Sequence, residues 1–218
     1  TTVAKRLHPG SPSFLPEWIQ LSMESVSHLS HSKGDIRIFF EDTSRAMEPG
    51  LFAIADNGVG LDLAEILKLL VEIERLLQSD GTADIRNRIA SNDEKIRAHA
   101  RGLLSLFHMA DQITLVTRHA GNENAGVYKL TCSHNGSCEL SEIAHHYRHG
   151  TLLCFRLRSG ERVPAATLQQ RIEDSFAHSS IPIAFKARNL KAVHIGRRSF
   201  PWDIAQPSQW MDALTGPL

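Results

Sequence analysis

Neither sign of charge is in excess: Lys+Arg and Asp+Glu both number 24, so the chain is neutral with its histidines uncharged. A surface held on nucleic acid mainly by phosphate contacts needs a basic excess, and the overall composition offers none. Cysteine is scarce. Its three residues cannot all pair internally, which argues against a disulfide-stapled secreted domain and for a reducing cytoplasm. No apolar run approaches the roughly 20 residues that cross a bilayer, and the N-terminus has no apolar signal-peptide core. Repeats and low-complexity tracts are absent as well. What is present is ordinary for a globular protein: 218 residues, 42% hydrophobic and 22% charged, enough for one well-packed domain.

Local patterning then divides the chain. A breaker cluster at Pro9-Gly10-Ser11-Pro12-Ser13 precedes a helix expected over Leu15 to Ser30. Lys33-Gly34 turns into a strand, Asp35 to Phe40, and Leu51 to Asp56 reads as a second, buried strand; their short connection favours antiparallel pairing. Asp62 is placed to cap a helix with an apolar stripe at Leu63, Ile66, Leu67, Leu70, Ile73 and Leu77, stopped by Asp80-Gly81. The polar stretch from Thr82 to Lys95 is expected to be mobile. Arg97 to Ala110 reads as helix, Gln112 to Arg118 as a strand, and Val127 to Ile143 as a hairpin closed at Asn135-Gly136. A strand over Thr151 to Leu157, a helix over Ala165 to Ala177 and a last strand over Ile181 to Phe185 complete the order. This succession predicts an α+β sandwich with a mixed, mainly antiparallel sheet, not a doubly wound parallel one.

The pentapeptide with most chemical content is Asp56-Asn57-Gly58-Val59-Gly60. An Asp ending a buried strand offers a fixed acceptor to an exocyclic amine, and glycines clear space where a flat ring must approach. The same residues also suit an ordinary strand-to-helix turn.

Context adds to this turn. Phe14-Leu15-Pro16-Glu17-Trp18-Ile19-Gln20 is similar to a Y-L-R-E-L-L-Q helix, and Ala55 to Leu61 is similar to a purine-binding D-x-G-x-G turn. Ile96 to Phe107 lies where a G-x-x-G-x-G segment opens a helix. Met109-Ala110-Asp111-Gln112-Ile113 resembles V-A-D-x-I, Gly150-Thr151 matches a G-T pair, and Ile181-Pro182-Ile183 resembles a closing Y-P-I strand. In this order, from about Leu15 to Phe185, the chain resembles the N-terminal nucleotide-binding domain of the heat shock protein 90 class of GHKL ATPases. The resemblance implies a two-layer GHKL sandwich with helices on one face of the sheet, over residues 1–188, with 189–218 a connector or the start of another module. It implies ATP or ADP as ligand and a role as a chaperone of the cytoplasmic stress response. A client or partner protein is expected as partner, with neither nucleic acid nor membrane. The resembled chaperones continue into middle and dimerising regions, so the chain is expected to be a fragment or a stand-alone relative.

By this resemblance Glu17 stands where a general base orients the attacking water. Asp56 would accept from the adenine amine beside Thr151, with Gly58 and Gly60 bordering the base. Gly102 would offer its N–H to phosphate at a helix N-terminus. Glu24 replaces the Asp expected near the nucleotide. Three departures stand against efficient hydrolysis. The Asn expected four residues after Glu17 is Leu21, which has no oxygen for Mg²⁺, and Arg97 and Ala100 replace two of the three phosphate-segment glycines. Arg97 and Arg101 could grip phosphate only by charge. The alternative is a non-hydrolysing pseudo-ATPase acting as an interaction scaffold.

Two features remain outside this reading. Cys132, His134, Cys138, His145, His146 and His149 are ligand types for zinc, but their spacing is not a usual zinc pattern and a hairpin turn separates the two cysteines. Trp202 and Trp210 in the Pro-flanked tail suit either an interface or packing back on the domain.

Overall fold

The computed structural model describes residues 14–29, 34–41, 50–78, 93–121, 125–144, 148–158, 163–188 and 191–196. In chain order the elements are α1 (Phe14–Ser27), β1 (Ile36–Glu41), β2 (Leu51–Asp56), α2 (Leu63–Gln78), α3 (Glu94–Leu106), β3 (Ala110–Arg118), β4 (Val127–Ser133), β5 (Cys138–Ile143), β6 (Gly150–Leu157), α4 (Ala165–Phe176), β7 (Ile183–Ala187) and β8 (Val193–Ile195). The eight strands form one sheet in the order β5-β4-β3-β6-β2-β1-β7-β8. Neighbours pair antiparallel except β1 and β7, which run parallel. The fold is therefore the expected α+β sandwich with a mixed, mainly antiparallel sheet.

Alternation along the strands divides the apolar side chains between the two faces of the sheet. One face supplies Ile36, Ile38, Phe40, Phe52, Ile54, Leu153 and Phe155 to a core shared with all four helices. On the other, Ala53, Ala55, Val116, Val127, Leu152 and Cys154 form a separate buried cluster that includes no helix residue. Helices thus cover one face, and β2, next to the middle of the sheet, is buried along its whole length.

Asp62 caps α2 as its sequence suggests. Its Oδ1 accepts from Glu65 N at 2.7 Å while Glu65 Oε2 accepts from Asp62 N at 3.0 Å, a reciprocal capping box. The buried stripe of that helix differs from the expected one. Ile66, Leu69, Ile73 and Leu76 face the core, whereas Leu63 and Leu67 are 41% and 49% exposed. With leucine at four of the first eight helical positions, periodicity alone admits two neighbouring stripes, and the helix's seat against α3 selects one. The sheet also continues past Arg188, since β8 pairs with β7. At three residues β8 is too short to show a periodic signal. The stop at Asp80-Gly81, the stretch 82–92 and the tryptophans of the tail lie outside the described residues.

Candidate functional site

Asp56 ends β2, where its Cα stands in register with Ile36 on one side and Thr151 on the other. Its side chain is turned inward and only 6% exposed. Gly58 N donates to Oδ1 at 2.9 Å, and the Ser22 and Ser25 hydroxyls and the Thr151 N–H also donate to the carboxyl. Burial outweighs these donors and pushes the carboxyl from its ordinary 3.8 up to about 6. Thr151 is buried beside it, with Oγ1 3.3 Å from that of Thr117. The structure therefore brings together Asp56, Gly58, Gly60 and Thr151, the set assigned by resemblance to the base.

Backbone groups around the turn are accounted for one by one. Asn57 Oδ1 accepts from Asp35 N at 2.8 Å, and Val59 N donates to Ser25 O at 3.1 Å. Leu61 N donates to Thr117 Oγ1 at 2.8 Å, and that hydroxyl donates to Gly150 O at 3.1 Å. The Gly58 carbonyl accepts from His149 Nδ1 at 2.9 Å. The glycines are required by the chain itself. A Cβ on Gly58 would lie 2.3 Å from Ser25 Oγ and 2.6 Å from its carbonyl carbon, so α1 occupies that space. Gly60 adopts φ +71°, and a Cβ there would lie 2.1 Å from Arg118 O. Ring approach is therefore not needed to explain either residue.

Ser22, Ser25 and Thr117 are not expected from the sequence as site groups, and His149 is expected only among the zinc ligand types. A signal existed for three of them. Ser22 and Ser25 interrupt the otherwise apolar buried stripe of α1 that includes Leu15, Trp18, Ile19 and Val26, and Thr117 continues the inward alternation of Ile113 and Leu115 in β3. A hydroxyl on an apolar face needs a buried partner. His149 lies outside any regular element and carries no such signal.

Glu17 and Glu24 are placed elsewhere. Both belong to the exposed stripe of α1 with Gln20, whereas Ser22 and Ser25 are the α1 side chains that reach Asp56. Leu21 is 7% exposed and packs within the main core. The residues therefore do not fit Mg²⁺: a hydrocarbon fills the place of the expected oxygen ligand, and the Asp56 oxygens already have internal donors.

The phosphate segment differs most from expectation. The expected start at Arg97 gives way to a helix that begins at Glu94, with Asp93 as N-cap accepting from Ile96 N at 3.4 Å. Gly102 is not at the helix N-terminus but in the third turn, where its missing Cβ would stand 3.2 Å from the Trp18 indole. Arg97 and Ala100 favour helix where glycine would resist it, so the N–H groups that a loop would present are committed to carbonyls one turn back. The cap and Glu94 also place two carboxylates at the end where a phosphate would sit. Arg97 Nη2 and Arg101 Nη2 bond the Glu94 carboxylate at 2.8 and 2.9 Å, and the Arg101 bond holds that carboxyl below its ordinary value. Behind them Trp18 meets His99 edge to face at 5.9 Å. The His99 Nδ1–H donates to Lys95 O at 2.8 Å, and burial lowers the pKa of the ring.

Among the described residues, the histidine-rich region does not bring metal ligands together. Cys132 and Cys138 are joined as a disulfide, a pairing absent from the sequence-based expectation, and no three His, Cys, Asp or Glu converge among the described residues. His145 and His146 lie outside those residues. No described helix is long and apolar enough to cross a membrane.

No family profile matches the chain. It is similar to proteins named chaperone protein HtpG. That of Chromobacterium violaceum is 31% identical over 161 residues, 71% of this chain and 24% of the relative. That of Geobacter sulfurreducens is 30% identical over 112 residues, 51% and 17% of the two chains. That of Pectobacterium atrosepticum is 26% identical over 192 residues, 85% and 29%. The matched stretch is thus between a sixth and a third of the length of these curated relatives. At this identity the chain is related to the HtpG chaperones, and so to the heat shock protein 90 class, across half to most of its own length.

Proposed function

We propose that the chain is the adenine-nucleotide-binding domain of a heat shock protein 90-like chaperone in which ATP hydrolysis is weak or lost. The observation that carries this reading is Asp56, a buried carboxyl at the end of a central strand beside Thr151, surrounded by hydroxyl and N–H donors. Such a group suits the amine edge of a purine. Impaired hydrolysis follows from Leu21, which supplies no metal ligand, and from α3, whose N–H groups are committed to the helix. The domain then holds the base and ribose end and has little grip on the triphosphate. Clients, oligomeric assembly and a stress role belong to the same proposal.

Calorimetric titration with adenosine, ADP and ATP, with and without Mg²⁺, tests it. Adenosine and ADP should bind with similar affinity, Mg²⁺ should change little, and Asp56→Asn should abolish the heat. Mg²⁺-dependent ATP turnover that disappears in Glu17→Ala would overturn the loss of hydrolysis.

A second reading is favoured by one specific observation. Asp56 already has four internal donors, and chain atoms fill the space beside Gly58 and Gly60. On that reading the turn only fastens α1 to the sheet, and the domain is a pseudo-ATPase scaffold. Absence of any thermal shift at millimolar adenosine would select it, because even modest affinity raises the melting temperature at high ligand concentration.

A further inference from the structure

The β4–β5 hairpin holds two cysteines against each other by means that do not depend on the bond between them. Ser133 N donates to Ser137 O at 2.8 Å, and Gly136 N donates to Ser133 O at 2.9 Å. Asn135 Oδ1 accepts from Ser137 N at 3.0 Å and from Ser137 Oγ at 2.8 Å. Gly136 takes φ +92°, the left-handed residue that closes a three-residue hairpin loop. His134 N donates to Asp111 O at 2.9 Å, which ties the tip to β3. The hydrogen-bonded Ser133–Ser137 pair makes the next pair, Cys132 and Cys138, a non-bonded one, where opposite side chains come closest. Their Cα atoms are 4.1 Å apart.

The two sulfurs differ in access. Cys132 is 2% exposed and packs in the main core, whereas Cys138 is half-buried on β5, the edge strand. Cys154 takes no part in this geometry. It is buried in the cluster on the opposite face of the sheet, and burial pushes its thiol up to about 11.

We propose that Cys132 and Cys138 form a reversible thiol–disulfide site, exchanging with small thiols and disulfides of the glutathione class through Cys138, that fastens the hairpin tip against the end of α2. In closure the Cys138 thiolate attacks one sulfur of the small disulfide, forming a mixed disulfide and expelling one small thiolate. Cys132, its proton lost, then attacks the Cys138 sulfur and expels the second. One disulfide bond breaks and one forms, two electrons pass to the small molecule, and its two thiolates take up the protons the cysteines released. The link to α2 is direct: a Cβ on Gly136 would stand 3.1 Å from Leu77 Cδ1, so the tip rests on the last turn of that helix.

The test equilibrates the whole chain in glutathione buffers spanning reduced to oxidised, traps thiols with iodoacetamide and locates the label by mass spectrometry. One two-electron transition should appear, confined to Cys132 and Cys138, with Cys154 labelled only after unfolding. A pair reduced in every buffer, a pair still oxidised in excess reduced glutathione, or a bond to Cys154 would each overturn the site. Cys132→Ser should accumulate a glutathione adduct on Cys138, whereas Cys138→Ser should leave Cys132 unmodified; equal adducts would overturn the assigned direction of exchange. Reduction should also speed amide hydrogen exchange several-fold across 131–141 and at Leu76–Leu77. Unchanged exchange at Leu76–Leu77 would remove the link to α2.

Discussion

At the Asp56 turn, backbone N–H groups donate to side chains and neighbouring segments, so the strand stops and the chain changes direction. Along α3 the corresponding groups are committed to the helix, and the chain runs straight through positions where a phosphate loop would break it. Both regions pack against α1. They teach that one helix can meet its two flanks with different chemistry: Ser22 and Ser25 face Asp56, while Trp18 lies against Gly102. The first contact is a buried polar one, and the second sets an indole against the bare backbone of a helix.

The largest effect should come from placing an oxygen ligand on α1, the helix that both regions share. Leu21→Asn buries an amide where a core side chain packs, and it should cost about 3 kcal/mol in urea denaturation without creating Mg²⁺-dependent nucleotide binding. A stable variant that gained such binding would collapse the contrast.

Next is the pH dependence of the first region. The Asp56 carboxyl titrates near 6 in the fold against an ordinary 3.8, so the fold binds its proton more tightly than the unfolded chain. Its contribution to stability is therefore fully present below about pH 4 and lost as pH rises through about 6. Between pH 4 and 7 the protein should lose about 2–3 kcal/mol from this group. Denaturation midpoints of Asp56→Asn should lack that component, and a parallel pH profile for the two proteins would show that Asp56 does not carry the shift.

The smallest effect is expected from Arg97→Gly, which restores a loop-forming residue to α3. Helix propensity alone predicts a loss of about 1 kcal/mol. No gain in ATP turnover should accompany it. A neutral or stabilising result would mean that α3 is not held as a helix by its own residues.

Much of the fold was legible from local pattern. Leu51–Asp56, the helix cap at Asp62 and the hairpin around Asn135-Gly136 each depend on residues close in sequence, and the structure places all three as expected. The hairpin turn was legible in place but not in form, since the loop has three residues and Gly136 closes it. The core stripe of α2 was off by a step because its leucines satisfy two helical faces equally. Gly102 was misplaced for a different reason: a motif written as glycines says where a backbone could open, and Arg97 and Ala100 had already removed that option.

By itself the sequence determined the order of helices and strands as far as β7, the D-x-G-x-G turn and the neutral, spanless composition, because periodicity, turn chemistry and charge are local or additive quantities. Only the tertiary structure decided that Ser22 and Ser25 turn toward Asp56, that the turn glycines are filled by Ser25 and Arg118, and that Cys132 meets Cys138. Each of these depends on strand register or on the rotation of a helix about its axis. Those are set by which distant surfaces bury the most hydrocarbon together, and no short stretch of chain contains that information.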